Sequence, residues 1–383
     1  MKKTIFIISL LALTLSIVLF ILKDEVYTNN TIVFGASLPK TGIMKDLGKD
    51  VEYGTNAYFK YANDNNLLKN KKIKFITHDD KYEPELTKKN IKQLINTDKV
   101  FALYGFVGTP TVEKILPIIK NTNIPFIAPF TGASFLREKK HKNIINFRSS
   151  YFEEIEKIVA YLHDVKGLNK FAVFYQNDNY GEEGYISLIK ALEKRKLKLT
   201  ADGTYKRNTL SIRHAFQEMK DSKPEAIIMV GAYKANALFI NKAKNDENFK
   251  DTIFCNISFG VIDTIIKNTN DTKNLLFSQV VPSYTNTDIP VVKEYQEIMT
   301  KYCPDVKYGF ISFEAFLAAK VVVNTLQNMK GDITKDKFLT QIKKVKKNVI
   351  NGLNIRYQNS QLLNSVYLFE YQDKQFHEIK WKR

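Results

Sequence analysis

The chain has 383 residues, with 58 Lys and Arg against 40 Asp and Glu, which gives a formal net charge of +18. Hydrophobic residues make up 44% of the sequence, a share that can build real cores. The cations are scattered, as at 69–74, 88–89 and 343–347, without the interleaved aromatic residues of nucleic-acid surfaces. We therefore predict no nucleic-acid partner, although the positive field favours acidic solutes or anionic lipid headgroups.

The first 28 residues have the pattern of an export segment. Lys2 and Lys3 precede the apolar run Ile5–Leu22, and neither a small-x-small cleavage site nor a lipid-accepting Cys follows it. The run reaches the length of about 18 residues at which a spanning helix becomes credible. We predict an N-terminal membrane anchor, ranked slightly above a cleaved signal peptide, with the rest of the chain in the periplasm or on the outer face of the cytoplasmic membrane.

Beyond this leader, apolar runs of strand length alternate with amphipathic stretches of helical length. Strands are predicted at Ile32–Leu38, Ile73–His78, Ala102–Tyr104, Phe126–Ile127, Lys170–Tyr175, Ala226–Val230, Thr252–Cys255, Leu276–Val281 and Val366–Tyr371. Helices are predicted at Asp50–Asn65, Pro84–Asn96, Pro110–Lys120, Phe152–Val165, Gly181–Arg195, Thr209–Lys220, Lys234–Lys244, Val291–Tyr302 and Phe310–Met329. Repeated strand–helix units predict an α/β fold with doubly wound parallel sheets.

The length of the chain predicts two lobes, because single cores stop growing beyond about 250–300 residues. The first run of units ends near Ser149–Ser150, and the chain changes lobes again near 282 and near 349. We predict that 31–149 and 282–349 form lobe 1, and that 150–281 and 350–383 form lobe 2. Several strands between the same two bodies make a stiff hinge, which absorbs closure while the lobes stay rigid.

Catalytic and metal chemistry find little support in the sequence. The turn Gly42–Asp50 follows a strand, but its glycines are spaced wrongly for a phosphate loop and Asp50 stands where Ser or Thr is needed. Cys255 and Cys303 form no CxxC pair and have no neighbouring His, and the histidines lack metal-ligand spacing. We predict a protein that is not an enzyme and that uses no metal and no cofactor.

More informative are two turns at strand ends, Gly105–Thr111 and Pro129–Leu136. Each offers a Thr hydroxyl and free N–H groups at the start of a predicted helix, where the helix dipole favours a carboxylate. The alternative is that Thr109 and Thr131 only cap helices. Matching groups at strand ends of the other half favour binding; they are Tyr180, Tyr233 and Ser258 with Phe259.

These residues carry a resemblance that extends from about Thr31 to about Phe376. It consists of six segments in order: GASLPKTG, YGFVGTPT, PFTGA, NFRSSY, VFYQNDNYG and VGAYK. The chain resembles type I periplasmic solute-binding proteins of the leucine/isoleucine/valine-binding family, the receptors of branched-chain amino acid ABC importers. The resemblance implies two lobes joined by three crossover strands, a ligand enclosed between them and an ABC permease as partner.

Carried over by position, the resemblance implies that Thr109 holds the ligand carboxylate, and that Tyr180 and Tyr233 close over the ligand from the second lobe. Leu47 matches a position where family members often place an aromatic wall. The complete predicted ligand-binding set is Leu47, Gly108, Thr109, Phe130, Thr131, Gly132, Tyr180, Tyr233 and Ser258.

One departure concerns the ligand's ammonium group, which needs an acidic partner because an unpaired buried charge is costly. Family members place an acid near the position of Ile257 or Ser258, and this chain has none there; Asp263 and Glu153 are the nearest candidates. The expected ligand is thus a small amino acid or a related carboxylate or amide. Two other functions stay open: an anchored sensor module that signals through a separate partner, and an extracytoplasmic hydrolase.

Overall fold

The computed structural model describes residues 30–346 and 349–381, and the predicted leader lies outside them. Two sheets organise the described chain. The strands of the first are β1 (Thr31–Leu38), β2 (Lys72–Asp79), β3 (Ala102–Tyr104), β4 (Phe126–Ile127) and β5 (Ile144–Ile145). Their order is β2-β1-β3-β4-β5, and every pair is parallel. The carboxyl ends of these strands therefore meet at one edge of the sheet.

The second sheet is larger and mixed. Its strands are β6 (Phe171–Gln176), β7 (Leu199–Tyr205), β8 (Ala226–Val230), β9 (Ile253–Asn256), β10 (Leu275–Gln279), β11 (Tyr367–Gln372) and β12 (Gln375–Glu378), in the order β12-β11-β10-β9-β8-β6-β7. Strands β6 to β10 pair in parallel, as predicted, whereas β11 and β12 add in antiparallel fashion. The β11–β12 pairing has a local reason, since Asp373 and Lys374 both have positive φ and form a two-residue hairpin turn.

Helices cover both sheets. They are α1 (Lys45–Asp64), α2 (Pro84–Asn96), α3 (Thr109–Lys120), α4 (Tyr151–Val159), α5 (Asn179–Glu193), α6 (Arg213–Ser222), α7 (Tyr233–Ala243), α8 (Ile262–Lys267), α9 (Pro290–Tyr302), α10 (Phe310–Gln327) and α11 (Lys335–Ile342). A π-helical turn, Ala160–Val165, continues α4. Five elements were not predicted from the sequence because they are short or weakly patterned: β5, β7, β12, α8 and α11.

Helix α10 is the apolar centre of the first lobe. By length and composition it could cross a membrane, but 83% of its apolar window is buried inside the fold, as expected of a core helix. It packs so closely on α1 that a Cβ at Gly54 would lie 2.0 Å from the Ser312 carbonyl oxygen. Glycine is thus required at this crossing.

The chain passages between the lobes run side by side. Leu363 N–H donates to Phe147 O at 2.7 Å, and Ser149 Oγ donates to Ser365 O at 3.0 Å. Residues after the second predicted lobe change, near residue 282, pack against the first sheet. Phe338, for example, lies 6.3 Å from Phe34 between ring centroids. The fold is two α/β lobes with mostly parallel sheets, and the exact lobe boundaries stay predictions.

Candidate functional site

Three hydroxyl groups meet where α3 begins. Thr109 Oγ1 lies 2.7 Å from Thr131 Oγ1 and 3.4 Å from the Tyr151 hydroxyl, which is itself 3.3 Å from Thr131 Oγ1. All three side chains are fully buried. The helix N-terminus adds unpaired backbone N–H groups and a positive dipole end, so this hydroxyl cluster suits a carboxylate.

Gly108 and Gly132 let other groups approach this hydroxyl cluster. Gly108 has φ +103°, and a Cβ there would lie 2.3 Å from the Tyr82 ring. A Cβ at Gly132 would lie 2.6 Å from the backbone nitrogen of Tyr151, whose N–H donates to the Gly132 carbonyl at 3.0 Å. The absence of a side chain at both glycines therefore allows the close packing around the hydroxyl cluster.

Thr131 does not precede a full helix, and this expectation was wrong. A short 3-10 turn, Ser134–Arg137, follows, and Thr131 Oγ1 accepts from the Ala133 N–H at 3.2 Å. Arg137 donates to Ala133 O and to Arg148 O, which fixes the loop before β5.

Aromatic rings from both lobes cover the hydroxyl cluster. Tyr180, at the start of α5, lies 4.6 Å from Phe259 and 5.4 Å from Tyr151 between ring centroids, and Tyr82 lies 6.3 Å from Phe259. All four rings are fully buried. Tyr82 follows β2 of the first sheet and Phe259 follows β9 of the second, so their contact means that the lobes are closed on each other. Tyr82 was not predicted as a site residue. It lies in the loop after β2 and has a positive φ.

Tyr233 and Leu47 lie to one side of these rings. The Tyr233 hydroxyl, from the first residue of α7, accepts from the Asp46 N–H of α1 at 3.4 Å and so bridges the lobes. Leu47 follows Asp46 and is fully buried. Beside them, a cavity of about 1070 Å³ is lined by both lobes, including Asp50 of α1 and Asp263 of α8.

Arg148 crosses the floor of the cleft and is fully buried. Its Nε and Nη2 lie 3.1 and 3.2 Å from the two carboxylate oxygens of Glu314 in α10. Nη2 also donates to Ser258 Oγ at 2.6 Å, and the guanidinium lies over the Phe130 ring at 5.5 Å. Of the predicted residues, Phe130 and Ser258 are thereby brought together around a cation that the sequence analysis did not single out.

Although no acid stands at positions 257 or 258 in the sequence, Ser258 has an acidic neighbour in the fold. Glu154 of α4 accepts from Ser258 N–H at 2.8 Å, from Ser258 Oγ at 2.9 Å and from Ser278 Oγ at 2.6 Å. It lies 104 residues earlier in the chain. The available signal was spacing, since Glu154 falls three residues after Tyr151 on the buried face of α4.

The two acids suggested from the sequence lie elsewhere. Glu153 forms a capping box with Ser150, whose N–H donates to Glu153 Oε2 at 2.7 Å. Asp263 accepts from the Tyr284 hydroxyl at 2.7 Å and from the Phe310 N–H at 3.3 Å, at the start of α10. Neither contacts Ser258 in the hydrogen bonds of the described chain.

Burial changes the protonation of several carboxyl groups near the cleft. It raises the pKa of Glu314 to about 7, an effect that Arg148 opposes and Glu154 reinforces. It also raises the pKa of Asp50 to about 7, with added repulsion from Asp263 and Asp46. The pKa of Asp263 rises to about 6 for the same primary reason. The closed cleft therefore holds carboxyl groups that titrate near neutral pH.

Comparisons with known proteins agree with this architecture. Residues 31–375 match the family model of periplasmic binding proteins. The crystal structure of a possible leucine/isoleucine/valine-binding protein from Rhodopirellula baltica SH 1 is 29% identical, with a TM-score of 0.85, over 92% of this chain and 96% of that one. A branched chain amino acid ABC transporter from Thermus thermophilus with bound valine is 17% identical, with a TM-score of 0.81, over 91% and 95%, and shows the fold alone.

A further match is partial. The receptor-type adenylate cyclase B of Leishmania donovani is 28% identical over 120 residues, which are 30% of this chain and only 9% of that protein. This match says nothing of a cyclase activity here. The family match, by contrast, extends over nearly all of the described residues and agrees with the two-lobed fold. The chain belongs to the periplasmic binding protein family.

Proposed function

We propose that this protein is the extracytoplasmic solute-binding receptor of an ABC importer, and that it captures a small amino acid or a related carboxylate or amide by hinge closure. The observation that carries the proposal is the hydroxyl cluster of Thr109, Thr131 and Tyr151 at the N-terminus of α3. Tyr180 and Phe259, from the lobe of the second sheet, pack against Tyr151 of this cluster.

Thr109 and Thr131 would hold the ligand carboxylate. Their hydroxyl groups can donate to it, and the first N–H groups of α3 lie beside them, where the helix dipole favours an anion. The rings of Tyr180 and Phe259 would cover the apolar part of the ligand. Tyr233 would contribute at the edge of the cleft by holding α7 against α1.

Glu154 would supply the charge partner for an ammonium group. Its carboxylate is fixed by three hydrogen bonds from Ser258 and Ser278, so it cannot turn away to solvent. Arg148, Glu154 and Glu314 together carry one positive and two negative charges when both acids are ionised. A cationic group in this part of the cleft would thus be stabilised rather than repelled.

Some direct contacts between the lobes are polar and partly exposed, as between Ser134 and Glu183 at 2.8–3.0 Å or between Arg207 and Glu83 at 3.3 Å. Such pairs contribute about 0–1 kcal/mol each. A ligand that contacts both lobes would stabilise only the closed state and shift its population. That shift is the event that a permease would recognise.

The test is recovery of the ligand. The full chain is purified without denaturant, unfolded, and the released small molecules are identified by mass spectrometry. The proposal predicts an unaltered amino acid, carboxylate or amide, and X-ray scattering that shows a more compact protein after the ligand is added back. Recovery of a cleaved product, or identical scattering with and without the ligand, would contradict capture by closure.

A membrane-anchored sensor is the second candidate. The observation that favours it is the similarity to part of a receptor-type adenylate cyclase. The same closure would then report ligand to a separate membrane partner. Reconstitution with a candidate permease distinguishes the two functions, because only the importer predicts ligand-dependent stimulation of ATP hydrolysis by that permease.

A further inference from the structure

Several buried polar atoms have no hydrogen-bond partner among the residues that the structure describes. The Tyr180 hydroxyl and Nη1 of Arg148 are two of them, and both side chains are fully buried. Buried donors nearly always have partners, because an unpaired one loses its hydration without compensation. These two groups therefore indicate where a ligand would supply hydrogen-bond acceptors.

The orientation of Arg148 follows from its other contacts. Nε and Nη2 both face the carboxylate of Glu314, which places Nη1 on the opposite side of the planar guanidinium. Nη2 also reaches Ser258, and the guanidinium lies over Phe130, the residue before Thr131. The guanidinium is thus held between the Ser258 turn and Phe130, next to the hydroxyl cluster.

The Tyr180 hydroxyl belongs to the same region. The Tyr180 ring contacts Phe259, which directly follows Ser258, and also contacts Tyr151 of the hydroxyl cluster. Both unpaired groups therefore lie among residues of the Ser258 turn and of the hydroxyl cluster. A ligand carboxylate on Thr109 and Thr131 would bring the rest of the ligand toward them.

The charges near Arg148 Nη1 and the Tyr180 hydroxyl restrict which chemical group of the ligand can bind to them. Glu314 and Glu154 both contact the residues around Arg148, so a second anionic group would meet two carboxylates against one guanidinium. An alkyl group would leave both donors unpaired. A neutral carbonyl oxygen has two lone pairs and could accept from both donors without adding charge.

We propose that the ligand carries, a few bonds from its carboxylate, a neutral hydrogen-bond acceptor such as a carboxamide oxygen, which accepts from Arg148 Nη1 and the Tyr180 hydroxyl. This inference rests on the proposed function and narrows its ligand class. It separates this chain from a receptor for purely aliphatic amino acids.

Leucine, asparagine and aspartate test the inference, because their side chains have similar shapes and end in an alkyl group, a carboxamide and a carboxylate. Calorimetric titration of the full chain should give asparagine an affinity at least about tenfold above the other two, a difference of about 1.4 kcal/mol. Equal or tighter binding of leucine or aspartate overturns the inference, and so does binding of none of the three. Recovery of a different small acid in the mass-spectrometric test would still leave the proposed function intact.

A variant separates binding from packing. Tyr180→Phe removes a hydroxyl that has no partner, so the melting temperature of the empty protein should not fall. Asparagine affinity should fall about fivefold or more, while leucine affinity should be unchanged. Tyr185→Phe, on the same helix and half-buried, is the matched control and should change neither. Unchanged asparagine affinity in Tyr180→Phe, or a lower melting temperature, overturns the assignment of this hydroxyl.

Discussion

Arg148 Nη2 donates to Ser258 Oγ at 2.6 Å, and this hydrogen bond joins the first passage between the lobes to the turn after β9. The same hydroxyl donates to Glu154 at 2.9 Å. One serine thus links a buried cation to a buried carboxylate at the floor of the cleft. Its small size allows both charged groups to approach it at once.

Ser258→Ala should lower the free energy of unfolding by about 1–3 kcal/mol, because a buried Arg148 donor and a buried Glu154 oxygen lose their partner. Thermal unfolding of the empty protein measures this change. Ser222→Ala, at the half-buried end of α6, is the control and should have a small effect. Equal melting temperatures for the two variants would show that the Arg148–Ser258–Glu154 link contributes nothing to stability.

Thr109→Ala should weaken binding of the recovered ligand by about 1–3 kcal/mol, since a hydrogen bond to a charged carboxylate is removed. Calorimetric titration measures the affinity. Thr122→Ala, just beyond the other end of α3, retains the helix and should bind normally. If Thr109→Ala binds as tightly as the control, the carboxylate site lies elsewhere.

Tyr233→Phe removes only the hydroxyl that accepts from Asp46 across the lobes. The ring is fully buried and stays in place, so the melting temperature of the empty protein should change little. Affinity should fall by about 0.5–1.5 kcal/mol, because one closed-state hydrogen bond is lost. The same titration checks it, and an unaltered affinity would remove Tyr233 from the closure contacts.

The raised pKa of Glu314 predicts that the stability of the protein depends on pH. Its ordinary pKa is 4.5 and burial raises it to about 7, so between these values the folded protein retains a proton that the unfolded chain has lost. The contribution of Glu314 to stability is thus lost as pH rises from about 4.5 to about 7, and is constant above. Melting curves across this range should show a smaller decline for Glu314→Gln than for the wild type. Glu193→Gln, an exposed change, should keep the wild-type decline.

The raised pKa of Asp50 predicts that the protein takes up protons when it closes on its ligand. Burial raises its pKa to about 7 in the closed state, where Asp263 of the other lobe adds repulsion. Opening would return Asp50 to water and lower its pKa, so closure should be easier at pH 6 than at pH 8. We expect about a threefold gain in affinity from pH 8 to pH 6, reduced in Asp50→Asn. If the wild-type affinity is the same at pH 6 and pH 8, protonation of Asp50 is not coupled to closure. Asp251→Asn, at an exposed position, is the control.

Much of the fold was accessible from the sequence because parallel α/β units repeat a clear pattern of apolar runs and amphipathic helices. Helix Pro84–Asn96 was predicted at its observed bounds, since Pro84 marks its first turn. The hairpin of β11 and β12 was not predicted as such, because its strands are short and partly exposed. The short helices α8 and α11 gave too few turns for a periodic signal.

For the site, turn chemistry identified Thr109 and Thr131, and the structure brings their hydroxyls within 2.7 Å. Turn chemistry could not identify Glu154 as the neighbour of Ser258, because their contact depends on how α4 packs against the end of β9. The same holds for Arg148 and Glu314, which lie 166 residues apart. A charged residue on an apolar helix face signals a partner but does not say which one.

The sequence by itself determined the two-lobed α/β architecture and the turns that place hydroxyl groups at strand ends, because both follow from local patterns of apolar, small and polar residues. Only the tertiary structure decided which charges lie under those turns and which donors stay unpaired. Burial and distance set those properties, and they depend on contacts between segments more than one hundred residues apart.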